Sequence, residues 1–370
     1  MARRVRILGF IVVLLAIPVV ALALYASHDS ACAPSTLLPA DARVMKAIVS
    51  RCYGPPDVVL RLEDIEKPTA GADQVLVRVR AAAVNPLDWH QVRGTPYLML
   101  RRENGFGAPT ESRIGVDYAG TVEAVGPEVK EFKPGDEVFG ARTGAFAEYV
   151  IVRESRQIVH KPPNISFEQA AAVEVAGVTA LQALRNWGHL KAGDKVLING
   201  ASGGVGSFAV QIAKAYGAEV TGVCSTGNVE LVRKIGADYV IDYKKEDFTE
   251  AGKLYDLIVD MAGNHSLFEL RHVLQPEGRV VVVGTAESGK WFGSLIEPLK
   301  ADLLNRFVSQ EFTRMRTDLN KADLIVLRDL LQEGKLVPQI DRQYKLSEVP
   351  AAIAYVETGH ARGKVIILVD

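Results

Sequence analysis

VLINGASGGVGSFAVQIAKAYGAEV, residues Val196 to Val220, determines the fold of the larger part of this chain. Residues 196–198 form a short apolar run typical of a strand buried on both faces, and apolar residues recur at helical spacing from Phe208 onward. Glycines lie between the two segments. A strand, a glycine turn and a helix in this order predict the phosphate-binding corner of a dinucleotide site, because exposed N–H groups at a helix start attract an anion.

The glycine pattern departs from the usual fingerprint at its first position. Aligned as Ala201, Gly203 and Gly206, it has alanine where the fingerprint has glycine. Gly203 still lets the backbone approach a pyrophosphate, and Gly206 lets the helix pack tightly on the strand. Strands and helices then alternate as far as Val283, which predicts an α/β fold with a doubly wound parallel sheet. A flavodoxin-like glycine turn without nucleotide is the alternative interpretation.

The composition is that of a globular protein of 370 residues, long enough for two domains. A net charge of −1 and the lack of a basic run predict that the protein does not bind nucleic acid. The three cysteines, Cys32, Cys52 and Cys224, are too far apart to form a CxxC pair. We therefore expect neither a disulfide framework nor a cysteine-rich zinc lobe.

The N-terminal end is a long apolar run. Residues 7–26, ILGFIVVLLAIPVVALALYA, carry no charge and follow Arg3, Arg4 and Arg6. A helix of about 20 residues spans the hydrocarbon layer of a bilayer. We predict a single-pass membrane anchor over residues 1–28, with the lipid bilayer as its partner, and a linker over residues 29–44. A cleaved signal peptide is the alternative.

Two further regions flank the predicted nucleotide domain, which we place at residues 167–317. Residues 45–166 contain short alternating runs separated by Gly and Pro clusters, a pattern typical of an all-β barrel. Residues 318–370 contain helices and a last strand, Val365 to Val369. A lone terminal strand needs partners, so we expect this segment to return to the barrel.

Eight motifs spread over residues 45–370 are similar to those of the medium-chain dehydrogenase/reductase superfamily, in its zinc-free quinone oxidoreductase branch. They are AAAVNPLDWH (81–90), GVDYAGTVEAVG (115–126), KPGDEVFG (133–140), GAFAEYV (144–150), AGVTALQAL (176–184), GASGGVG (200–206), GADYVIDY (236–243) and GHARGKVIILV (359–369). The resemblance implies a GroES-like β-barrel catalytic domain joined to a Rossmann domain, and a homodimer. It does not extend to residues 1–44.

The resemblance also bears on the metal content. In zinc-dependent relatives, a cysteine and a histidine bind the catalytic metal at positions that match Asn85 and Val116. A carboxamide and a valine cannot replace a thiolate and an imidazole, so we predict that this protein needs no metal.

The residues after the second strand of the nucleotide domain predict NADPH as the cofactor. Domains that prefer NAD place an acid there to bind the ribose 2′-OH, whereas residues 224–228 read CSTGN. Ser225, Thr226 and Asn228 can donate hydrogen bonds to a 2′-phosphate. Close relatives often have Lys or Arg at the position of Gly227, which moderates the expected preference.

The predicted cofactor site contains further residues. The glycine turn contributes Ser202, Gly203, Gly204, Val205 and Gly206. The resemblance adds Tyr243 near the 2′-phosphate, and Thr179 and Gly284 beside the nicotinamide.

The implied reaction is hydride transfer from the nicotinamide to a quinone or an α,β-unsaturated carbonyl, which leaves negative charge on the acceptor oxygen. Asn85 is the first candidate catalytic residue, because its carboxamide can orient nicotinamide or substrate; a capping role before Pro86 is the alternative. His90 and Tyr97 lie in the segment that lines the substrate cleft in relatives, and a surface histidine and a packing tyrosine are the competing interpretations.

Two hypotheses about function therefore stand side by side. One is a membrane-anchored NADPH-dependent reductase, and the other is a non-catalytic NADPH-binding membrane partner protein. The positive-inside rule would place the folded domain outside the cytoplasm. Because NADPH is a cytosolic cofactor, we nevertheless expect a cytoplasmic catalytic domain.

Overall fold

The computed structural model describes residue 21 and residues 23–35, 37–284, 291 and 297–369. The first half contains seven strands: β1 (Val44–Ser50), β2 (Leu60–Glu66), β3 (Gln74–Val84), β4 (Asp117–Val125), β5 (Glu137–Ala141), β6 (Tyr149–Arg153) and β7 (Ile158–His160). Its helices are α1 (23–27), α2 (Pro56–Val59), α3 (Pro86–Arg93), a π-helix (Tyr97–Arg101) and α4 (Arg102–Asn104).

The second half alternates helices and strands. Its helices are α5 (Phe167–Ala171), α6 (Glu174–Gln182), a π-helix (Ala183–Trp187), α7 (Gly204–Ala215), α8 (Val229–Lys234), α9 (Leu267–His272), α10 (Glu297–Leu304), α11 (Lys321–Gln332) and α12 (Val349–Glu357). Two short 3₁₀ turns, Thr226–Asn228 and Leu346–Glu348, precede α8 and α12. The strands are β8 (Lys195–Asn199), β9 (Glu219–Cys224), β10 (Tyr239–Asp242), β11 (Tyr255–Asp260), β12 (Leu274–Val282), β13 (Glu311–Arg314), β14 (Ile340–Lys345) and β15 (Lys364–Leu368).

Six parallel strands form one sheet in the order β10-β9-β8-β11-β12-β13. The chain runs outward from β8 in one direction and then returns to begin again at β11 on the other side. Residues 196–198 of β8 have no exposed surface, as a strand covered by helices on both faces requires. Ligands bind at the carboxyl ends of the strands where the order reverses, and here that point lies between β8 and β11.

The barrel sheet has the order β14-β15-β3-β4-β5-β7, and β6 pairs with β3 as well. The predicted β-barrel and the predicted doubly wound parallel sheet are confirmed. The last strand, β15, runs antiparallel to β3 and pairs Val365 with Val84. This pairing brings Lys364, from the end of the chain, to the residue that follows β3.

Two predictions concern the N-terminal end, a membrane-spanning run and the absence of a disulfide framework. The predicted membrane-spanning run of residues 7–26 falls almost wholly outside the described residues, and no described helix is long and apolar enough to cross a membrane. The expectation of no disulfide was wrong, because Cys32 and Cys52 are bonded, with their Cα atoms 4.7 Å apart. The fold brings together two cysteines that are 20 residues apart in the sequence, whereas the CxxC spacing can indicate only a local pair.

Candidate active site

The glycine turn after β8 is shaped by close backbone contacts. Gly200 has a φ of +92°, which favours glycine, and Gly203 is the N-cap of α7. A Cβ atom at Gly206 would lie 2.1 Å from the carbonyl oxygen of Gly200. By contrast, a Cβ atom at Gly203 would meet its nearest atom at 3.5 Å. The turn is therefore packed tightly beneath Gly206 and open above Gly203, as a pyrophosphate-binding corner requires.

Asn228 joins the glycine turn to the loop after β9. Its Nδ2 donates to the hydroxyl of Ser202 at 2.9 Å and to that of Ser225 at 3.2 Å. Both amide donors of Asn228 are thus engaged at the two serine hydroxyls. A direct contact of Asn228 with a 2′-phosphate stays a prediction.

The loop after β9 has a cation beside it that the sequence analysis did not identify. A guanidinium nitrogen of Arg362 lies 3.4 Å from the position of a Cβ atom at Gly227. Burial acts to raise the pKa of Asp242, but polar interactions with Thr226, the Lys244 N–H and Lys245 outweigh it and lower that pKa. Tyr243 follows Asp242 and is about half exposed, at 49%. The C-terminal segment thus places a positive charge beside Gly227.

The two residues expected beside the nicotinamide occupy firmly packed positions. The hydroxyl of Thr179 donates to the carbonyl oxygen of Val175 at 2.6 Å and lies 3.0 Å from the Thr317 hydroxyl. A Cβ atom at Gly284 would lie 2.2 Å from the carbonyl oxygen of Met261. Gly284 follows the carboxyl end of β12, the edge of the sheet at which the cofactor is expected. Gly204 and Val205 open α7 and are half-buried.

A buried polar cluster lies where β3, β4 and β15 meet. The Lys364 ammonium donates to Asn85 Oδ1 at 2.5 Å and to Asp117 Oδ2 at 3.2 Å. Asn85 Nδ2 donates to the same Asp117 oxygen at 3.0 Å. Lys364 and Asp117 are 3% and 0% exposed, so this ion pair is desolvated. Lys364 and Asp117 thus orient the Asn85 carboxamide. The Lys364 side chain also passes close to the glycine turn, because a Cβ atom at Gly204 would lie 3.4 Å from Lys364 Cδ.

Two more buried acids surround this cluster. Asn85 is the N-cap residue of α3, and Asp88 Oδ2 accepts from its backbone N–H at 2.7 Å, while the Asn85 carboxamide is bonded to Asp117 and Lys364 instead of the helix end. Burial raises the pKa of Asp88 to about 7. Burial, with a smaller contribution from Asp117, also holds the pKa of Glu174 well above its usual range. Both carboxyls are thus favoured in the protonated form near the ion pair.

His90 and Tyr97 lie in the segment that follows Asn85. His90 Nδ1 is 2.8 Å from the carbonyl oxygen of Thr95, and burial lowers the pKa of the imidazole. The Tyr97 ring packs edge-on against Trp291, with ring centroids 5.1 Å apart. The two side chains are half-buried, and their hydrogen bonds and ring contacts within the described part of the chain do not include the Lys364 cluster.

Lys364 and Arg362 are the main residues that the sequence analysis missed, although both lie in the motif GHARGKVIILV. One signal was available. Lys364 opens a strand whose next three residues are buried and apolar, and a lysine in such a run needs a buried partner. The partner, Asp117, is 247 residues away and only the fold reveals it.

Within the described residues, no group of three or more His, Cys, Asp or Glu side chains is placed to hold a metal ion. Asn85 and Val116, the positions that match zinc ligands in metal-dependent relatives, carry no thiolate or imidazole. Independence of activity from metal remains a prediction.

Comparison with known families gives two matches. Residues 71–164 match the family described as alcohol dehydrogenase GroES-like domain, and residues 235–367 match the one described as zinc-binding dehydrogenase. The first covers most of the barrel, and the second covers the last part of the nucleotide domain and the return to the barrel.

Known proteins resemble the chain over nearly its full length. It is 34% identical to mouse (Mus musculus) mitochondrial NAD(P)H oxidoreductase RTN4IP1, over 88% of this chain and 89% of that protein. It is also 34% identical to a chloroplastic NADPH-dependent alkenal/one oxidoreductase of Arabidopsis thaliana, over 92% of this chain and 84% of that protein. The solved quinone oxidoreductase of Coxiella burnetii superposes with a TM-score of 0.76 at 33% identity, over 89% of this chain and all of the other.

Proposed function

This chain belongs to the medium-chain dehydrogenase/reductase superfamily and is an NAD(P)H-dependent oxidoreductase, and from that premise we propose that it uses NADPH to reduce quinones or α,β-unsaturated carbonyls. The observation that carries the proposal is the cofactor corner at the end of β8. There the close approach at Gly206, the serines fixed by Asn228 and the cation at Arg362 surround one open turn.

The preference for NADPH over NADH rests on the loop after β9. No carboxylate occurs in residues 225–228 to repel a 2′-phosphate, and Arg362 lies over Gly227. Arginine suits this role because its planar guanidinium matches phosphate geometry and stays charged. We assign the phosphate contacts to Ser225, Thr226 and Arg362, with Tyr243 at the edge.

NADPH, when bound, supplies the hydride. The protein's own residues orient the groups that face the cofactor and the acceptor. Lys364 places one positive charge between the glycine turn and Asn85, and two of its three N–H donors are used by Asn85 and Asp117. Because Asp117 balances this charge, the role that we assign to Lys364 is to hold the Asn85 carboxamide in one orientation beside the glycine turn. His90, in α3 and held neutral by its lowered pKa, and Tyr97, in the π-helix that follows, are the residues that we place along the acceptor cleft.

Membrane attachment and dimerisation are part of the proposal. Residues 7–26 are uncharged over a length that spans a bilayer, and an anchor of this kind suits acceptors that dissolve in lipid. The homodimer follows from the resemblance to the family. The mouse and Arabidopsis relatives are described as mitochondrial and chloroplastic.

Turnover separates the proposed reductase from a protein that only binds NADPH. The full-length chain, purified in detergent, is incubated with NADPH and with quinones, enones and aldehydes in turn, and loss of the reduced nicotinamide absorbance is followed. We expect oxidation with quinones or enones and none with saturated aldehydes. Tight NADPH binding without oxidation by any acceptor would favour the non-catalytic alternative.

A further inference from the structure

A segment outside the family resemblance packs against the wall of the proposed acceptor site. We call residues 25–32 the strap and residues 94–107 the cleft segment. The Ser30 N–H donates to the carbonyl oxygen of Gly107 at 2.9 Å. The Tyr25 ring lies 5.2 Å from that of Phe106. The sequence predicted these residues to be the end of an anchor and the start of a linker, whereas they are docked on the barrel domain.

Arg101 is the centre of this contact. Its side chain is 1% exposed, and its guanidinium donates to the His28 carbonyl oxygen at 2.8 Å, to Asp29 Oδ1 at 2.6 Å and to the Gly94 carbonyl oxygen at 3.0 Å. A buried charge is costly unless it is paired and hydrogen-bonded. The strap supplies a carboxylate and a carbonyl to this buried cation, and the cleft segment supplies the other carbonyl.

Arg101 also holds the aromatic side chains of the cleft wall. Its guanidinium lies 4.6 Å from the ring centre of Tyr53 and 4.5 Å from that of Tyr97, within the range of a cation–π contact. Tyr97 in turn packs on Trp291, which follows β12 in the nucleotide half. A continuous series of contacts therefore runs from Asp29 through Arg101 and Tyr97 to Trp291.

The strap is attached covalently as well. Cys32, at its end, is bonded to Cys52, which follows β1 and adjoins Tyr53. The cross-link therefore fixes the strap beside one of the two rings that enclose the Arg101 guanidinium. Closing the loop restricts the free chain, so the strap stays near Arg101 even when its hydrogen bonds open.

We propose that the strap is a positioning element of the acceptor site, that Arg101 is a positioning residue acting through Tyr97, and that the Cys32–Cys52 bond keeps the element closed. The inference rests on the proposed function. Reduction by a dithiol transfers two electrons and two protons to the S–S bond, giving two thiols and the disulfide of the reductant. The freed strap then no longer holds Asp29 against Arg101, and the position of Tyr97 relaxes.

This inference also changes the expected compartment. A structural disulfide persists where thiols are oxidised, and its formation needs a protein disulfide as oxidant. That requirement agrees with the orientation that Arg3, Arg4 and Arg6 favour, in which the folded domain lies outside the cytoplasm. It opposes the cytoplasmic placement that cofactor supply suggested.

The first test is the thiol state in cells. Intact cells expressing the full chain are lysed in acid and treated with a thiol reagent that adds mass. We expect Cys32 and Cys52 to be unmodified unless the protein is first reduced, while buried Cys224 reacts after denaturation. Labelling of Cys32 and Cys52 without reduction would contradict the closed strap.

The second test is the effect of opening the strap on acceptor kinetics. In the full chain, reduction and the variant Cys32→Ser/Cys52→Ser should each raise the KM for the acceptor about tenfold, with the NADPH dissociation constant unchanged. Dithiol added to the double variant should change nothing further. An unchanged acceptor KM after reduction would overturn the inference and leave the reductase proposal intact.

Charge variants separate positioning from general stability. Asp29→Asn should raise the acceptor KM, and the conservative Asp29→Glu should restore most of it. Glu111→Gln is the matched control, because it removes a carboxylate of similar exposure from the neighbouring pair with Arg113, at 46% against 53% for Asp29. Equal effects of Asp29→Asn and Glu111→Gln would contradict the role of Arg101.

A readout without turnover keeps the inference testable if no acceptor is found. Hydrogen exchange of residues 94–107 should accelerate on reduction of the full chain, while exchange of β8 to β12 stays constant. Unchanged exchange in the cleft segment would overturn the inference. Failure of the reductase proposal has a different signature, which is NADPH binding without oxidation in the unreduced wild type.

Discussion

The two sides of the active site are built by different physical means. The cofactor side is defined by backbone contact: at Gly206 and Gly284, a single added carbon would lie within 2.2 Å of a carbonyl oxygen. The acceptor side is defined by buried charge, with Lys364 against Asp117 and Arg101 against Asp29. Added atoms should therefore disrupt the cofactor side, and removal or titration of charges should disrupt the acceptor side.

The steric character of the cofactor side predicts the largest effect. Gly206→Val should abolish NADPH binding, because the valine side chain forces α7 away from β8. Nucleotide fluorescence titration of the full chain measures the binding. Ala215→Val, at an exposed position of the same helix, is the control and should bind normally. Retained binding in Gly206→Val would mean that the pyrophosphate is held elsewhere.

On the acceptor side, removing the buried ammonium should destabilise the fold strongly. Lys364→Met leaves Asp117 buried without its cation, and breaking a buried pair in this way costs about 3–5 kcal/mol of unfolding free energy. Denaturant unfolding measures the loss. Lys335→Met removes a half-exposed lysine paired with Glu333 and should cost little. Adding Asp117→Asn to Lys364→Met should recover part of the loss, and a further drop would contradict the charge argument.

One charge belongs to the cofactor side, and its removal should have an intermediate effect. Arg362→Gln should reduce the preference for NADPH over NADH about tenfold, equivalent to about 1.4 kcal/mol. Gly227→Arg should raise the preference in the wild type and restore it in Arg362→Gln, since both residues reach the same space. Dissociation constants for the two nucleotides provide the measurement. An unaltered ratio in Arg362→Gln would place the 2′-phosphate away from this arginine.

Titration of Asp88 should produce a smaller effect that depends on pH. Its pKa is raised from 3.8 to about 7 by burial, so the folded protein holds a proton that the unfolded chain releases. The stability that this group contributes is greatest below its ordinary pKa of 3.8 and is lost as the pH rises toward the folded pKa of about 7. Melting temperature should fall between about pH 4 and pH 7 and level off above that, and Asp88→Asn should flatten the fall. A variant with the same slope as wild type would exclude Asp88 as the cause.

Metal removal should have no effect on either side of the site. Asn85 and Val116 offer no zinc ligands, so activity should survive exhaustive chelation. Elemental analysis and turnover before and after chelation check this. Stoichiometric zinc that is lost together with activity would refute the prediction.

The glycine turn of the cofactor side could be predicted from the sequence because its parts are local, whereas Arg362, far along the chain, could not. The strand, the turn and the helix lie within residues 196–220, and periodicity with glycine spacing identifies them. The return of the last strand to the barrel followed from the need of a lone strand for partners, and the structure identifies β3 as its antiparallel partner. Both features depend on neighbouring residues or on a simple geometric requirement.

The acceptor side could not be predicted in the same way. Lys364 meets Asn85 across 279 residues, and Arg101 meets Asp29 across 72. The residues around each partner do not indicate such pairings. The disulfide was missed for the same reason, since a search for CxxC spacing cannot detect two cysteines that only the fold brings together. Long-range charge pairs leave one local sign, a charged residue inside an apolar run, as at Lys364.

Transfer of a labelled hydride tests the central claim most directly. The full chain is mixed in a single turnover with NADPH that carries deuterium at C4 and with the acceptor that performs best in the screen. We predict one oxidised nicotinamide per active site, with deuterium on the β-carbon of a reduced enone or loss of label to water from a reduced quinone. Bound NADPH that keeps its deuterium, with the acceptor recovered unchanged, would contradict the account.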